Sequence, residues 1–377
     1  MPAPPIDPGF WHGRRVLMTG HTGFKGAWLA LWLQRLGAEV IGFGSRIRAT
    51  PAPGSLFASA RVADGLAAHL DGDVRDSAKV DAAVRCARPE VVFHLAAVAN
   101  VRRGLRDPAE TYATNVMGTV HVLDAVRRVG DDVRAVVCTT SDKVYENREW
   151  EWPYRESEPL GGRDPYSSSK ACQELVTSAF RDSLLARRGV AVATVRAGNV
   201  IGGGDWAPDR LVPDFVRAAI AGAPLHVRSP ASVRPWQHVL NPLCGYLLLA
   251  EGLCGARAPS LATAFNFGPA DDDRRPVRWV VERLCDGWPG EVVARFGDGE
   301  AQEAGIVRLD SSRAREALGW APRWDLAAGV EATVDWYARR HEGEEARALC
   351  DAQIDAFAAQ AASASDGAAP RAAATRL

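Results

Sequence analysis

The stretch "RRVLMTGHTGFKGAWLALWLQRLG" constrains the fold more than any other part of the chain. A short apolar strand runs into Gly20, Gly23 and Gly26, spaced G-x-x-G-x-x-G. A helical pattern follows, with Trp28, Leu29, Leu31, Trp32, Leu33 and Leu36 on one apolar face and Gly37 as its stop. Glycines between a strand and a helix let the backbone approach a pyrophosphate, and the helix N-terminus favours its negative charge. The segment predicts a dinucleotide site at the head of a strand–helix unit.

The same alternation continues downstream. Strands are expected at "AEVIGFG", "HLDGDVRD", "PEVVFHLAA", "RAVVCTTSD" and "VAVATVRAGNVIG". Helices are expected at "SAKVDAAVRCA", "AETYATNVMGTVHVLDAVRRVG" and "SSSKACQELVTSAFRDSLLARRG". Alternating strands and helices give an α/β fold with a doubly wound parallel sheet, the Rossmann arrangement. Residues 10–201 with about 243–270 form the expected dinucleotide-binding domain. Residues 202–242 with 271–345 form a second, smaller mixed α/β lobe. The Ala/Ser-rich end, 353–377, reads as a disordered tail.

Composition excludes several function classes. A formal net charge of -1 gives no bulk attraction to nucleic acid or to a membrane surface. No apolar run approaches the ~20 residues of a membrane helix. The seven cysteines are scattered without a C-x-x-C pair, which argues against a disulfide framework or a metal site and for reduced thiols in the cytoplasm. The N-terminal "MPAPPIDPGFWHG" lacks the basic start and apolar core of a signal peptide.

Two further features carry chemistry. Tyr166 and Lys170 form Y-x-x-x-K, one helical turn apart on one face. A nearby ammonium and a nicotinamide's positive charge are expected to lower the phenol's pKa, so that it accepts a hydroxyl proton as hydride leaves the same carbon. Ser141, Asp142 and Lys143 stand in a row at the end of the "RAVVC" strand. At the adenosine end, the second strand finishes "GFGSR" without the acid that usually binds the ribose. Arg46 there keeps NADP open beside NAD. Asp73, with Val74, is the acid expected near the adenine.

These motifs resemble the extended short-chain dehydrogenase/reductase superfamily, and most closely its CDP-glucose 4,6-dehydratase branch. The resemblance runs through "FWHGRRVLMTGHTGFKGAWLALWLQRLGAEV", "FHLAA", "TNVMGTVHVLDAVR", "TSDKVYENREW", "DPYSSSKACQELV", "RAGNVIGGGDWAPDRLVPD" and "RPWQHVLNPLCGYLLLAE". It implies a nucleotide-sugar substrate, dehydrated through a transient 4-ketone. Tyr166 would be the base at carbon 4, Ser141 would hydrogen-bond the carbon 4 oxygen, and Asp142 would be the acid at carbon 6. Lys143 falls where dTDP-glucose relatives carry a glutamate base. It implies a cofactor site of Gly20, Thr22, Gly23, Phe24, Lys25, Gly26, Asp73, Val74, Leu95, Ala96, Ala97, Asn115, Tyr166 and Lys170. On the substrate side it implies Asn199, Arg210 and Arg234, with Trp206 either stacking on a base or sugar or packing in the core. His238 reads as a packed structural histidine. Relatives pair their long helices across a two-fold axis, so a homodimer is expected, with a tetramer open. Two departures stand out: "LAAVANVRR" puts Val98 and Asn100 where the family reads "LAAQ", and Asn241 stands where glutamate is usual.

Overall fold

The computed structural model describes residues 4–44, 54–297 and 307–366, so Arg46 lies outside the described residues. Seven parallel strands make one sheet: β1 (Arg15–Thr19), β2 (Glu39–Gly44), β3 (Ala68–Asp71), β4 (Val91–His94), β5 (Ala135–Thr139), β6 (Ala191–Ala197) and β7 (Ala264–Phe267). Their order is β7-β6-β5-β4-β1-β2-β3. The order reverses between β1 and β4, and an open parallel sheet binds ligands at that switch point, outside the C-terminal strand ends.

The central strands are buried on both faces, as expected of a sheet covered by helices. Alternate residues serve the two layers. Val16, Met18, Phe93 and Val137 face a core shared with α1 (Phe24–Arg35). Leu17, Val92, Val136 and Cys138 face a second core with α2 (Ser77–Ala87) and α3 (Gly118–Val129). Trp28, Leu29, Leu31 and Leu33 of α1 are fully buried, each worth roughly 1.5–3 kcal/mol as a buried large apolar side chain. Helix α4 (Pro165–Phe180) starts at Asp164, whose carboxylate accepts the Ser167 N–H at 3.0 Å, with Pro165 in the first turn. This cap sets Tyr166 at the helix mouth.

The second lobe holds α5 (Leu211–Ala221), α7 (Val277–Gly287) and α8 (Leu326–His341), with α6 (Leu240–Leu253) packed back on the sheet. Leu225–Val227 pairs with Ala294–Phe296, and Val200–Ile201 with Gln237–His238. One expectation is corrected. The chain after 353 does not begin a disordered tail, because α9 runs from Ala346 to Asp366. Ile354 and Phe357 are buried, and Phe357 packs edge-on against Trp32 of α1 and Trp324. Residues 367–377 lie outside the described residues.

Candidate active site

The C-terminal strand ends open into one continuous cleft of about 1910 Å³ between the lobes. Single-ligand sites run to about 1,000 Å³, so this one has room for two ligands. The turn after β1 forms its floor. Gly20 has φ +74°, and a Cβ there would come within 2.6 Å of the Ala96 amide nitrogen. A Cβ on Gly26 would strike the Gly20 carbonyl at 2.1 Å. Gly23 caps α1 with no side chain over the helix N-terminus. Bare amides and close backbone approach fit a pyrophosphate, so the residues present fit a dinucleotide. Thr22, Phe24 and Lys25 line the same end.

Asp73 and Val74 line the cleft beyond β3. The Asp73 carboxylate accepts from the Arg75 amide and guanidinium at 2.7–3.0 Å, so it is both a turn cap and a cleft wall. Leu95, Ala96 and Ala97 follow β4 along the floor. Asn115, expected at the cofactor, is instead buried and absent from the cleft wall. Its side chain accepts from the Val98 N–H at 2.8 Å and donates to the Val98 carbonyl and to Ser169 Oγ at 3.1 and 2.8 Å. It acts on the floor through Val98. Asn100 caps the short helix Val101–Arg106, accepting the Arg103 N–H at 2.9 Å.

The two catalytic motifs meet. Ser141, Asp142, Lys143, Tyr166 and Lys170 all line the cleft. Asp142 opens a short 3-10 turn (Asp142–Val144) and is only 4% exposed, which rules out a solvated surface cap. Ser141 Oγ donates to Asp142 Oδ1 at 2.9 Å and accepts the Lys143 amide at 3.3 Å, and Ser141 lies near enough to the Tyr166 phenol to act on its pKa. Phenol, hydroxyl and carboxyl thus stand together in one part of the cleft. The other Asp142 oxygen is buried without a hydrogen-bond partner. The Lys143 ammonium makes no hydrogen bond or ion pair among the described residues. Lys170 Nζ donates to the Thr139 carbonyl at 3.1 Å and Gln173 Oε1 at 2.8 Å.

The protein's own groups, Lys170 included, do not lower the Tyr166 phenol: burial pushes it up to about 12, Ser141 opposing and Asp142 adding to the rise, and the lowering expected of a nicotinamide's charge would act against this. Burial and the neighbouring Lys25 bring Lys170 down to about 7. Burial and Arg210 bring Lys25 down to about 8, with Asp142 pulling the other way. Lys25, Lys170 and Arg210 thus share one cleft, an arrangement that favours anionic ligands.

On the facing wall, Asn199, Trp206, Arg210 and Arg234 line the cleft as expected. Arg210 donates to Asp205 Oδ2 at 2.8 Å and to the Ala99 carbonyl at 3.1 Å, joining the lobes. Trp206 both lines the cleft and packs edge-on against Tyr337. His238 is buried between Trp28 and Trp324, and burial lowers its pKa to about 3, as befits a packed histidine. Asn241 is structural: Nδ2 donates to the Trp324 carbonyl at 2.8 Å while Oδ1 accepts the Arg323 and Trp324 amides. A glutamate carboxylate has no such donor. Sequence reading missed Arg102, Arg103, Arg106 and Arg163, which also line the cleft. The triple arginine in "VRRGLR" was the signal for the first three.

Comparison with known proteins agrees with this geometry. Residues 16–253 match the model of the NAD dependent epimerase/dehydratase family. A CDP-glucose 4,6-dehydratase of Salmonella typhimurium is 48% identical over 347 residues, covering 90% of this chain and 95% of the relative. A dTDP-glucose 4,6-dehydratase of Xanthomonas campestris is 28% identical, covering 85% of this chain and 92% of the relative. Among solved structures, a dTDP-glucose 4,6-dehydratase from Streptomyces venezuelae, with NAD and TYD bound, superposes with a TM-score of 0.71 at 27% identity, covering 87% of this chain and 98% of that one. A UDP-glucose-4-epimerase from Stenotrophomonas maltophila shares the fold, with a TM-score of 0.76 at 21% identity over 88% of this chain and all of that one. With its glycine turn, its Tyr-Lys helix and its matched length, the chain belongs to the NAD dependent epimerase/dehydratase family.

Proposed function

We propose that this enzyme is an NAD-dependent hydro-lyase that converts CDP-glucose to its 4-keto-6-deoxy derivative. The observation that carries the reading is the buried Asp142 carboxyl beside Tyr166, which accepts from Ser141 and keeps its other oxygen without a partner. A reaction confined to carbon 4 has no use for that acid. The 48% identity to a CDP-glucose 4,6-dehydratase supports the substrate.

Bound NAD supplies a hydride acceptor that later gives the hydride back. Gly20, Gly23 and Gly26 would hold the pyrophosphate, and Lys170 would serve the nicotinamide side of the site. Tyr166 takes the proton from the carbon 4 hydroxyl, and Ser141 orients that oxygen. The resulting 4-ketone acidifies the hydrogen on carbon 5. Asp142 protonates the carbon 6 hydroxyl as it leaves as water. Lys143 stands at carbon 5, where an ammonium steadies the enolate and a neutral amine takes the proton. The hydride would return to carbon 6 and a proton to carbon 5, so that the proton collected at oxygen 4 equals the one needed at oxygen 6 and water is the only loss. Arg210 and Arg234 offer planar donors to the substrate pyrophosphate, and Asn199 and Trp206 complete that wall.

The test uses the purified protein with CDP-glucose and no added cofactor. Product lighter than substrate by one water, with 4-keto-sugar absorbance in base, is expected. An isomer of unchanged mass would make the chain an epimerase instead.

A second copy of the chain covers the exposed apolar side chains Leu105, Tyr112, Met117, Leu175 and Leu184, carried by the outer helices 101–117 and 165–185. Exposed apolar clusters of this kind mark association surfaces. Sedimentation at twice the chain mass is expected, and Met117→Lys with Leu175→Arg should yield one-chain mass. A monomeric parent protein refutes the pairing. NAD, a sugar nucleotide and seven free cysteines suit the cytoplasm.

A further inference from the structure

We propose that the buried Glu174–Arg196 ion pair is a positioning device for the elimination half of the reaction. It fixes both ends of the Ser141–Asp142–Lys143 turn against the Tyr166–Lys170 helix. The inference rests on the function proposed above and extends it to residues that never touch a ligand: neither side chain lines the cleft, and each is 4% exposed.

Glu174 lies one helical turn beyond Lys170 on α4, and Arg196 lies near the end of β6. Glu174 Oε1 accepts from Arg196 Nε at 2.8 Å, and Oε2 accepts from Arg196 Nη2 at 2.9 Å, a paired fork. The pair then reaches both flanks of the catalytic turn. On one side, Thr140 Oγ1 donates to Glu174 Oε1 at 2.5 Å, immediately before Ser141. On the other, Arg196 Nη1 donates to the Tyr145 hydroxyl at 2.9 Å, immediately after Val144, and the guanidinium lies 5.0 Å from the Tyr145 ring centre. The Tyr145 hydroxyl passes its own proton to Asn266 Oδ1 at 2.7 Å, tying the turn to β7. Thr194 Oγ1 completes the Glu174 shell at 2.6 Å. Burial alone would push the Glu174 carboxyl up, yet Arg196, Thr140 and Thr194 hold it below its ordinary value. It is a charged, saturated acceptor.

The two halves of the reaction demand different things of this frame. Oxidation at carbon 4 rests on Tyr166 set against the cofactor, a relation between α4 and the glycine turn, with Ser141 alone of the catalytic turn orienting the oxygen. Elimination also needs Asp142 at oxygen 6 and Lys143 at carbon 5 while Tyr166 stays at oxygen 4. That is a relation between the turn and α4, and the Glu174–Arg196 fork is what spans it. An apolar pair of similar volume commonly holds a fold as well as a buried ion pair does. It cannot, however, fix two hydroxyl-bearing neighbours by direction. Positional errors near 1 Å can cost about 100-fold in rate.

The experiment separates the steps by single-turnover mixing of CDP-glucose with the NAD-loaded enzyme. Reduced-nicotinamide absorbance reports oxidation, and mass spectrometry reports loss of water. The double variant Glu174→Leu/Arg196→Met should keep a melting midpoint near that of the parent. Its oxidation rate should stay within about threefold, while water loss slows about 10- to 100-fold, so the absorbance band builds up and lingers. KM should move far less than kcat. Thr140→Val, which deletes one hydroxyl, should show the same lag in milder form and serves if the double variant fails to fold. A variant that slows both steps equally, without a lingering band, overturns the inference. Parent protein that releases no water from CDP-glucose would instead overturn the proposed function, leaving the two failures distinct.

Discussion

Tyr166→Phe should bring carbon 4 oxidation down by about 100- to 10,000-fold, the range for losing a positioned acid–base group. The variant keeps the ring and loses only the hydroxyl on the side of Ser141. Since Tyr166 is 8% exposed and its aromatic body is conserved by the change, folding should be preserved. Mixing CDP-glucose with the NAD-loaded variant should give neither a reduced-nicotinamide band nor loss of water. The pH dependence follows from the environment. Burial holds the free protein's phenol near 12, so it is protonated throughout the ordinary range. Acceptance of a proton must await the positive charge of bound ligand and neighbours, which lowers that value. Parent oxidation rate should therefore rise with pH in the ligand-bound enzyme, and the phenylalanine variant should lose that rise. Normal oxidation by Tyr166→Phe would remove the phenol from the mechanism.

Asp142→Asn has the opposite signature. The amide keeps an oxygen to accept the Ser141 hydroxyl but has no acidic proton to give. Carbon 4 oxidation should proceed, and elimination should slow by about 100- to 10,000-fold. Reduced-nicotinamide absorbance should rise in the first turnover and then stall. Normal turnover would show that the carboxyl is not the acid. The two variants together discriminate the halves of the reaction: one gives no absorbance band, the other gives a band that does not decay.

Much of this molecule was legible in its sequence, for reasons that differ by element. The sheet was visible because a strand buried on both faces must be apolar nearly throughout, as in "VVF" of β4 and "AVVC" of β5. The glycine turn was visible because no other residue tolerates the approach of Gly20 to Ala96. Tyr166 and Lys170 were visible by spacing, but the Tyr166 environment was not. Helical spacing reveals an ammonium one turn away, whereas desolvation depends on everything packed around the ring, and here desolvation dominates. Asn115 was expected at the cofactor, yet its reach is set by the backbone of Val98, which no local pattern encodes. The Glu174–Arg196 fork was illegible because its partners come from four separate elements. Helix α9 was obscured by composition. Its alanines and serines read as low complexity, although Ala346, Leu349, Cys350, Gln353, Ile354 and Phe357 recur at helical spacing and are buried.

That last helix changes how the ends of the chain should be viewed. Phe357 of α9 leans on Trp32, in the helix whose first turn carries the glycines, and on Trp324 just ahead of α8. Tyr337 of α8 donates to the Asp205 carbonyl, and the Asp205 carboxylate in turn anchors Arg210 on the opposite wall. The last two helices thus work as an outside brace, linking the two jaws away from the cleft rather than across its mouth. Shortening the protein from its C-terminus would strip that brace long before it removed any residue that meets a ligand.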